Sequence, residues 1–313
     1  MLSRVAERIY WMARYLERAE NTARLVNVYR ESLLDLPKGV GVQWRQLVEI
    51  TGTEEYFEPR YRSSGERNVM KFVLGDLDNP SSVLSCLAAA RENVRTTRDL
   101  IPSEGWEHVN ELYLFARKKF AKSKLPLNQH AVLSEIVMRA QQIAGLLAGT
   151  MSHGDAYQFA RLGRSIERAD MTTRILDVGS TTLIAPGEEI ERLENRLWMN
   201  VLRSLSAYQM YRQYVRRRVS GPDAVEFLLR DEQFPRSVAH NLITIAEALK
   251  RLPRSDKPLR VTARTQRHLA STDTAALFGN GLHLYMDELQ VAFADINEQV
   301  VNAWFLPRLD EAV

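Results

Sequence analysis

The sequence is poor in the residues on which much protein chemistry rests. Cys86 is its one cysteine in 313 residues, so no internal disulfide can form. The apolar helical surroundings of that thiol in SSVLSCLAAARENV point to a buried, inert group rather than a nucleophile. Six histidines (His108, His130, His153, His240, His268 and His283) are scattered without zinc-ligand spacing. No Glu-x-x-His pair, as a di-iron bundle would require, occurs. The Gly-rich loop that cradles phosphates is missing too; GNG at 279–281 is too short and reads as a helix break. No metal site and no cofactor is therefore expected. Charge of one sign is scarce: 42 Lys and Arg against 39 Asp and Glu leave +3, too weak an excess to argue for nucleic acid. The most basic run, YRQYVRRRV with Arg212, Arg216, Arg217 and Arg218, reads as a solvated helix end, an acidic partner surface being the alternative. No apolar run reaches membrane-spanning length. The opening MLSRVAERIYW brings charge in at once, so no signal peptide is expected and the expected location is cytoplasmic.

What is there is helix. Val5, Ile9, Met12, Leu16, Ala19, Ala23 and Val26 form one stripe at helical spacing, with Ser3 placed to cap it. Similar periodicity predicts helices over 66–75, 80–100, 103–118, 130–151, 154–178, 187–217, 222–230, 235–251 and 273–305, with Pro80 and Pro235 at first helical positions. Breaks are expected at 36–41, 51–66, 122–129, 181–189 and 252–262. No alternating run is long enough for a sheet, so the fold class is all-α.

The chain also repeats itself. RYLERAENTARL (14–25) returns about 150 residues later: Arg14, Glu17, Arg18, Ala19, Thr22 and Arg24 match Arg164, Glu167, Arg168, Ala169, Thr172 and Arg174, and Glu20 matches Asp170. FVLGDLDNPSSVLSCL (72–87) aligns in turn with FLLRDEQFPRSVAHNL (227–242), and Trp44 and Trp198 lie between the paired blocks. Two ordered blocks at nearly constant offset imply a duplicated unit, with repeats at about 1–150 and 151–313. Two copies are too few for a solenoid, so a helical bundle with pseudo-twofold symmetry is expected, a single domain over 1–313.

On a helix Arg14, Glu17, Arg18, Asn21 and Arg24 share a face, with Arg14–Glu17, Glu17–Asn21, Glu17–Arg24 and Glu20–Arg24 expected in reach along it. Such a face is ordinarily solvated, with ion pairs worth a few tenths of a kcal/mol. Here the charges recur in kind and place in both halves, Tyr10, Leu25 and Val28 intrude on the polar side, and the basic residue is always Arg, whose fork suits carboxylates. Three readings stand open: a buried network joining the halves, a ligand or catalytic site, or plain surface. If Glu17 or Glu167 were a general base, the adjacent Arg would weaken it by lowering its pKa.

These residues resemble the alpha-E domain family, bacterial proteins named for a helical domain with a Glu-Arg motif. The resemblance covers the whole chain and is strongest at MLSRVAERIYWMARYLERAENTARL, with further family-like blocks at 79–113 and 163–178. It implies a partnership. Such proteins are typically encoded beside, or fused to, a circularly permuted ATP-grasp protein, often with a transglutaminase-like protein nearby. ATP-grasp enzymes activate a carboxylate as an acyl phosphate for attack by an amine, so the implied setting is amide or peptide synthesis and processing. The implied role is an accessory or substrate-binding subunit of the ligase; the alternative is a stand-alone enzyme acting on the amide product through the Glu-Arg clusters. Carried over by position, the motif residues are Arg14, Glu17, Arg18, Glu20 and Arg24, then Arg164, Glu167, Arg168, Asp170 and Arg174. The central block adds Asn79, Ser81, Arg91, Glu92, Asn93, Arg95, Arg98 and Trp106. On one helix Arg91, Arg95 and Arg98 would share a face and, with Arg4, form a basic pocket for a carboxylate or phosphate; a salt-bridged surface is the plainer alternative.

Overall fold

A computed structural model describes residues 2–35, 43–120, 128–183, 188–278 and 281–306, without the side chains of 33–35, 180–183 and 188–193. The break expected at 36–41, most of that at 122–129, the core of that at 181–189, and most of GNG lie outside the described residues. The described chain is all-α: α1 (Ser3–Asp35), α2 (Arg45–Thr51), α3 (Glu54–Phe57), α4 (Glu66–Gly75), α5 (Val83–Arg95), α6 (Ser103–Phe120), α7 (Gln129–Thr150), α8 (Asp155–Leu183), α9 (Glu188–Ser204), α10 (Tyr208–Val215), α11 (Gly221–Arg230), α12 (Val238–Lys250), α13 (Asp256–Ser271) and α14 (Gly281–Trp304).

Two long helices, α1 and α8, lie against each other along their length and form the axis of the molecule. α1 is flanked by α5 and α7, with α6 packed on both; α8 is flanked by α12 and α14, with α13 packed on both. Each central helix thus carries its neighbours in the same chain order. That position explains why α1 is buried nearly all round between Ile9 and Val26, on its charged side as well as its apolar stripe. The close approach of the two axes depends on Gly163, where a β-carbon would run into the Tyr10 carbonyl and press on the Arg14 side chain. Gly163→Ala is expected to cost about 2 kcal/mol by forcing the helices apart, more than offsetting the alanine's better helix propensity; urea melts of the purified protein measure it.

Several boundaries differ from the periodicity, for identifiable reasons. Pro80 and Pro235 do not open their helices. Each stands two residues before a serine cap: Ser82 accepts from the Ser85 amide and Ser237 from the His240 amide, both at 3.1 Å. The segment read as 80–100 ends as an α-helix at Arg95 and continues as a 3-10 turn, Arg98–Leu100. The segment read as 187–217 is two helices, because Ser206 takes a left-handed φ of 52° and the Ser206 and Ala207 amides fold back on the Arg203 and Leu202 carbonyls. No glycine marks that stop. The expected break at 252–262 is mostly the start of α13, whose Pro258 sits in the first turn where its missing N–H is harmless. The segment read as 273–305 begins only at Gly281, and α2 and α3 are too short to register as periodicity.

Cys86 is fully buried in α5, and burial pushes its thiol up to about 12. Arg212, Arg216, Arg217 and Arg218 are exposed around the end of α10, as a solvated helix end. One helix departs from the expectation about apolar runs: α7 has 22 residues and holds an 18-residue stretch with a mean hydropathy of 1.2, long and apolar enough to cross a membrane by length and composition. Its Leu133, Ile136, Ala140 and Ile143 are buried in the bundle core.

Candidate functional site: a crossed Glu-Arg network

The charged face of α1 meets the charged face of α8 in the interior. Glu17 and Glu167 are only 3% and 1% accessible, which removes the plain-surface reading for both. Their partners are crossed between the helices. Arg168 holds Glu17 in a two-pronged grip, Nε donating to Oε1 at 2.9 Å and Nη2 to Oε2 at 2.7 Å. In return Arg14 Nε donates to Glu167 Oε2 at 2.8 Å, and Arg18 grips both oxygens of the same carboxylate. The expected Arg14–Glu17 pair along α1 gives way to this exchange, because the fixed fork of each guanidinium reaches the facing helix more directly than its own. Glu17–Asn21 (3.2 Å) and Glu20–Arg24 do form along α1.

The network extends beyond the motif. Arg236, just before the cap of α12, donates to Glu17 at 3.0 Å, Asn21 at 2.6 Å and Glu20 at 2.8 Å. Gln141 of α7 donates to Glu20 at 3.0 Å. Asn297 of α14 accepts from Arg14 at 2.8 Å and from the Tyr10 hydroxyl at 2.6 Å. None of these three partners follows from the Glu-Arg motif. Arg236 left one trace in the sequence: it is the residue aligned with Ser81 in the repeated block, a charge set between the matching Pro and Ser-Val. Ser81 lies 3.5 Å from Arg18.

Electrostatics fix the protonation states. Burial alone would raise the Glu167 carboxyl, but Arg18 and Arg14 outweigh it and hold it down at about 2. Burial likewise opposes ionisation of Glu17, and Arg168 and Arg236 overcome it, keeping the carboxyl well below the usual range. Arg236 pays the converse penalty: burial and the nearby Arg24 pull its guanidinium down to about 10 against the attraction of Glu17. Both motif carboxylates are therefore ionised, paired and closed off from water, the opposite of what a general base near neutrality needs.

The remaining motif residues divide. Arg174 pairs with Asp170 one turn earlier at 2.9 Å. The guanidinium of Arg164, the sequence counterpart of Arg14, makes no hydrogen bond or ion pair among the described residues. The central block does not come together as a basic pocket. The α-helix ends at Arg95, and Arg98 follows in the 3-10 turn. Exposed Arg95 is gripped by Glu92 at 2.7 and 2.8 Å. Arg91 donates to Asn110 at 2.6 Å and lies, with Arg98, over the Trp106 ring, while Arg4 is exposed in the first turn of α1. Asn79 is buried in a turn role, donating to the Phe72 carbonyl and accepting from the Ser81 amide, and the Asn93 carbonyl receives the Thr96 and Thr97 hydroxyls. Elsewhere Asp177, His283 and Asp287 bring candidate ligand atoms within 4.8 Å of one another, residues too far apart in sequence for a spacing motif. His283 Nδ1 donates to Asp177 at 2.6 Å, and that bond raises the imidazole pKa.

Comparison with known proteins agrees with this geometry. A family described as "a predicted alpha-helical domain with a conserved ER motif" matches residues 1–305. Three curated relatives share 26% identity over 272 residues: uncharacterized proteins Mb2597 of Mycobacterium bovis, and MT2643 and Rv2567 of Mycobacterium tuberculosis. The match takes in 80% of this chain but 30% of each relative, so the chain spans under a third of their length. No solved structure matches. With a match over nearly its whole length, and a Glu-Arg pair at the centre of each axial helix, the chain belongs to the Alpha-E family.

Proposed function

We propose that the chain is an accessory or substrate-binding subunit of an ATP-grasp-type amide or peptide ligase system, working in the cytoplasm beside a circularly permuted ATP-grasp protein and, in some settings, a transglutaminase-like one. The observation that carries this over a stand-alone enzyme is the state of the motif carboxylates. Both are buried and satisfied by Arg, which suits them to hold helices in register and unsuits them to move protons. The length of the relatives fits the same reading, since a unit matching 30% of a longer polypeptide is placed to work next to other segments. An acyl phosphate must be kept from water and met by an oriented amine, and a large helical subunit is suited to close such a site. The duplicated origin and approximate twofold relation of the halves belong to the same proposal, supported by the crossed pairs and the repeated order of neighbours.

The test is a co-purification with the neighbouring ATP-grasp protein, followed by amine-dependent ATP turnover with and without this chain. A stable complex and changed turnover are expected, with no ATP turnover by this chain alone. Equal turnover and no complex at micromolar concentrations would overturn the subunit reading.

A further inference from the structure

A second charged region, outside the buried network, is built differently. On α8 the residues Gln158, Arg161, Ser165 and Arg168 recur at three- and four-residue spacing and line one wall of a cavity of about 390 Å³, with Arg164 beside them. The facing wall is α12, with His240, Asn241 and Thr244, and Arg251 just beyond its end. No carboxylate lines it. Arg161 is neutralised at the rim by Glu247 at 3.1 Å, and Arg168 by Glu17 beneath. Arg164 and Arg251 have no acidic partner among the described residues.

The contrast with Arg14 is informative. Arg14 is enclosed by Glu167, Asn297 and the rings of Tyr10 and Trp11. At the positions matching those two rings, the second half has Ala160 and Arg161. An aromatic lid is thus replaced by a small residue and another cation, and Arg164 borders open space, attracted by Glu17 without the direct bond that Arg14 makes to Glu167. Burial and then the neighbouring Arg168 both push the Arg164 guanidinium toward losing its proton, with only partial relief from Glu17. A cation held at such a cost, with no carboxylate bonded to it, favours an anion from solution.

We propose that the cavity between α8 and α12 is a binding site for the phosphate group of a small molecule, held chiefly by Arg164 and Arg251. Two unneutralised guanidiniums match the near-double charge of a phosphate. The hydroxyls of Ser165 and Thr244 add neutral donors from both walls, as a compact group with several acceptor oxygens requires. The volume leaves room for the body of a small metabolite. The inference does not depend on the subunit reading and holds for the chain alone.

The experiment is calorimetric titration of the full chain with inorganic phosphate at low ionic strength, with succinate and chloride as separate arms, on wild type, Arg164→Gln and Arg251→Gln. Saturable phosphate binding is expected, weakened roughly tenfold or more in each variant by loss of a charge-assisted contact. Arg164→Gln is also expected to melt no lower than wild type, since it removes an unpaired cation, which separates lost binding from lost folding. Absence of saturable phosphate binding, variants that bind like wild type, displacement by equimolar chloride, or tighter binding of succinate would each overturn the assignment.

Discussion

Glu17→Gln is expected to destabilise the protein by about 3–5 kcal/mol, the cost typical of breaking a buried ion pair by removing one partner. The reason is the arithmetic of charge around that residue. Arg168 and Arg236 both donate to Glu17, and an amide would leave Arg168 without a carboxylate and Arg236 sharing Glu20 with Arg24. Glu167→Gln strands Arg14 and Arg18 in the same way, and a loss of similar size is expected there. Glu55→Gln, at an exposed position, is the control and should lie within about 0.5 kcal/mol of wild type. A double-mutant cycle of Glu17→Gln and Arg168→Gln, read by urea denaturation, should show a coupling of about 2–3 kcal/mol. Melts of Glu17→Gln that overlay those of wild type would mean the pairing contributes nothing to the fold.

Acid should unfold this protein earlier than a helical bundle with a purely apolar core. Glu167 and Glu17 have carboxyls depressed in the native state, so the unfolded chain binds more protons between the unfolded and folded pKa values. Their contribution is complete above the ordinary Glu value and is lost as pH falls from there toward about 2, the value to which Glu167 is held. With each pKa unit worth about 1.4 kcal/mol, Glu167 alone carries roughly 3 kcal/mol across that window. Helicity followed by circular dichroism against pH, at fixed urea, measures the slope. Stability that stays level between pH 5 and pH 2 would contradict it; a shallower slope in Glu167→Gln would identify the group responsible.

The fold class and the long axial helices were legible because they rest on a local pattern of period 3.6; the repeated charges stood out as a motif copied with its spacing intact, with burial one of three readings open. That Glu17 and Glu167 were worth attention followed from their recurrence. Their true partners did not. A helix face specifies which residues are neighbours along it, and so suggested Arg14–Glu17. The crossed exchange depends on how closely two axes approach, which one glycine at position 163 decides. Arg236, Gln141 and Asn297 come from three other helices or their ends, where only tertiary packing can deliver them. The expected basic face needs a helix running to residue 100, but the helix ends at Arg95, Arg95 turns to Glu92, and Arg91 and Arg98 meet over the Trp106 ring. Left-handed Ser206 shows the limit from the other side, since a helix stop normally carried by glycine or asparagine was written in a residue that gives no warning.

The lone cysteine turns this architecture into something that can be timed. Cys86 is sealed in α5, the helix packed along α1 just where Arg18 reaches across to Glu167. With its thiol pushed up to about 12, it is both hidden from a thiol reagent and in the wrong protonation state to react. Labelling must therefore wait for α5 to lift from α1, and its rate reads the opening equilibrium of that seam. No engineered probe is required. The native chain carries a single chemical stopwatch beside one half of its charge exchange, and variants of Glu167 should make it run faster than variants of distant surface residues.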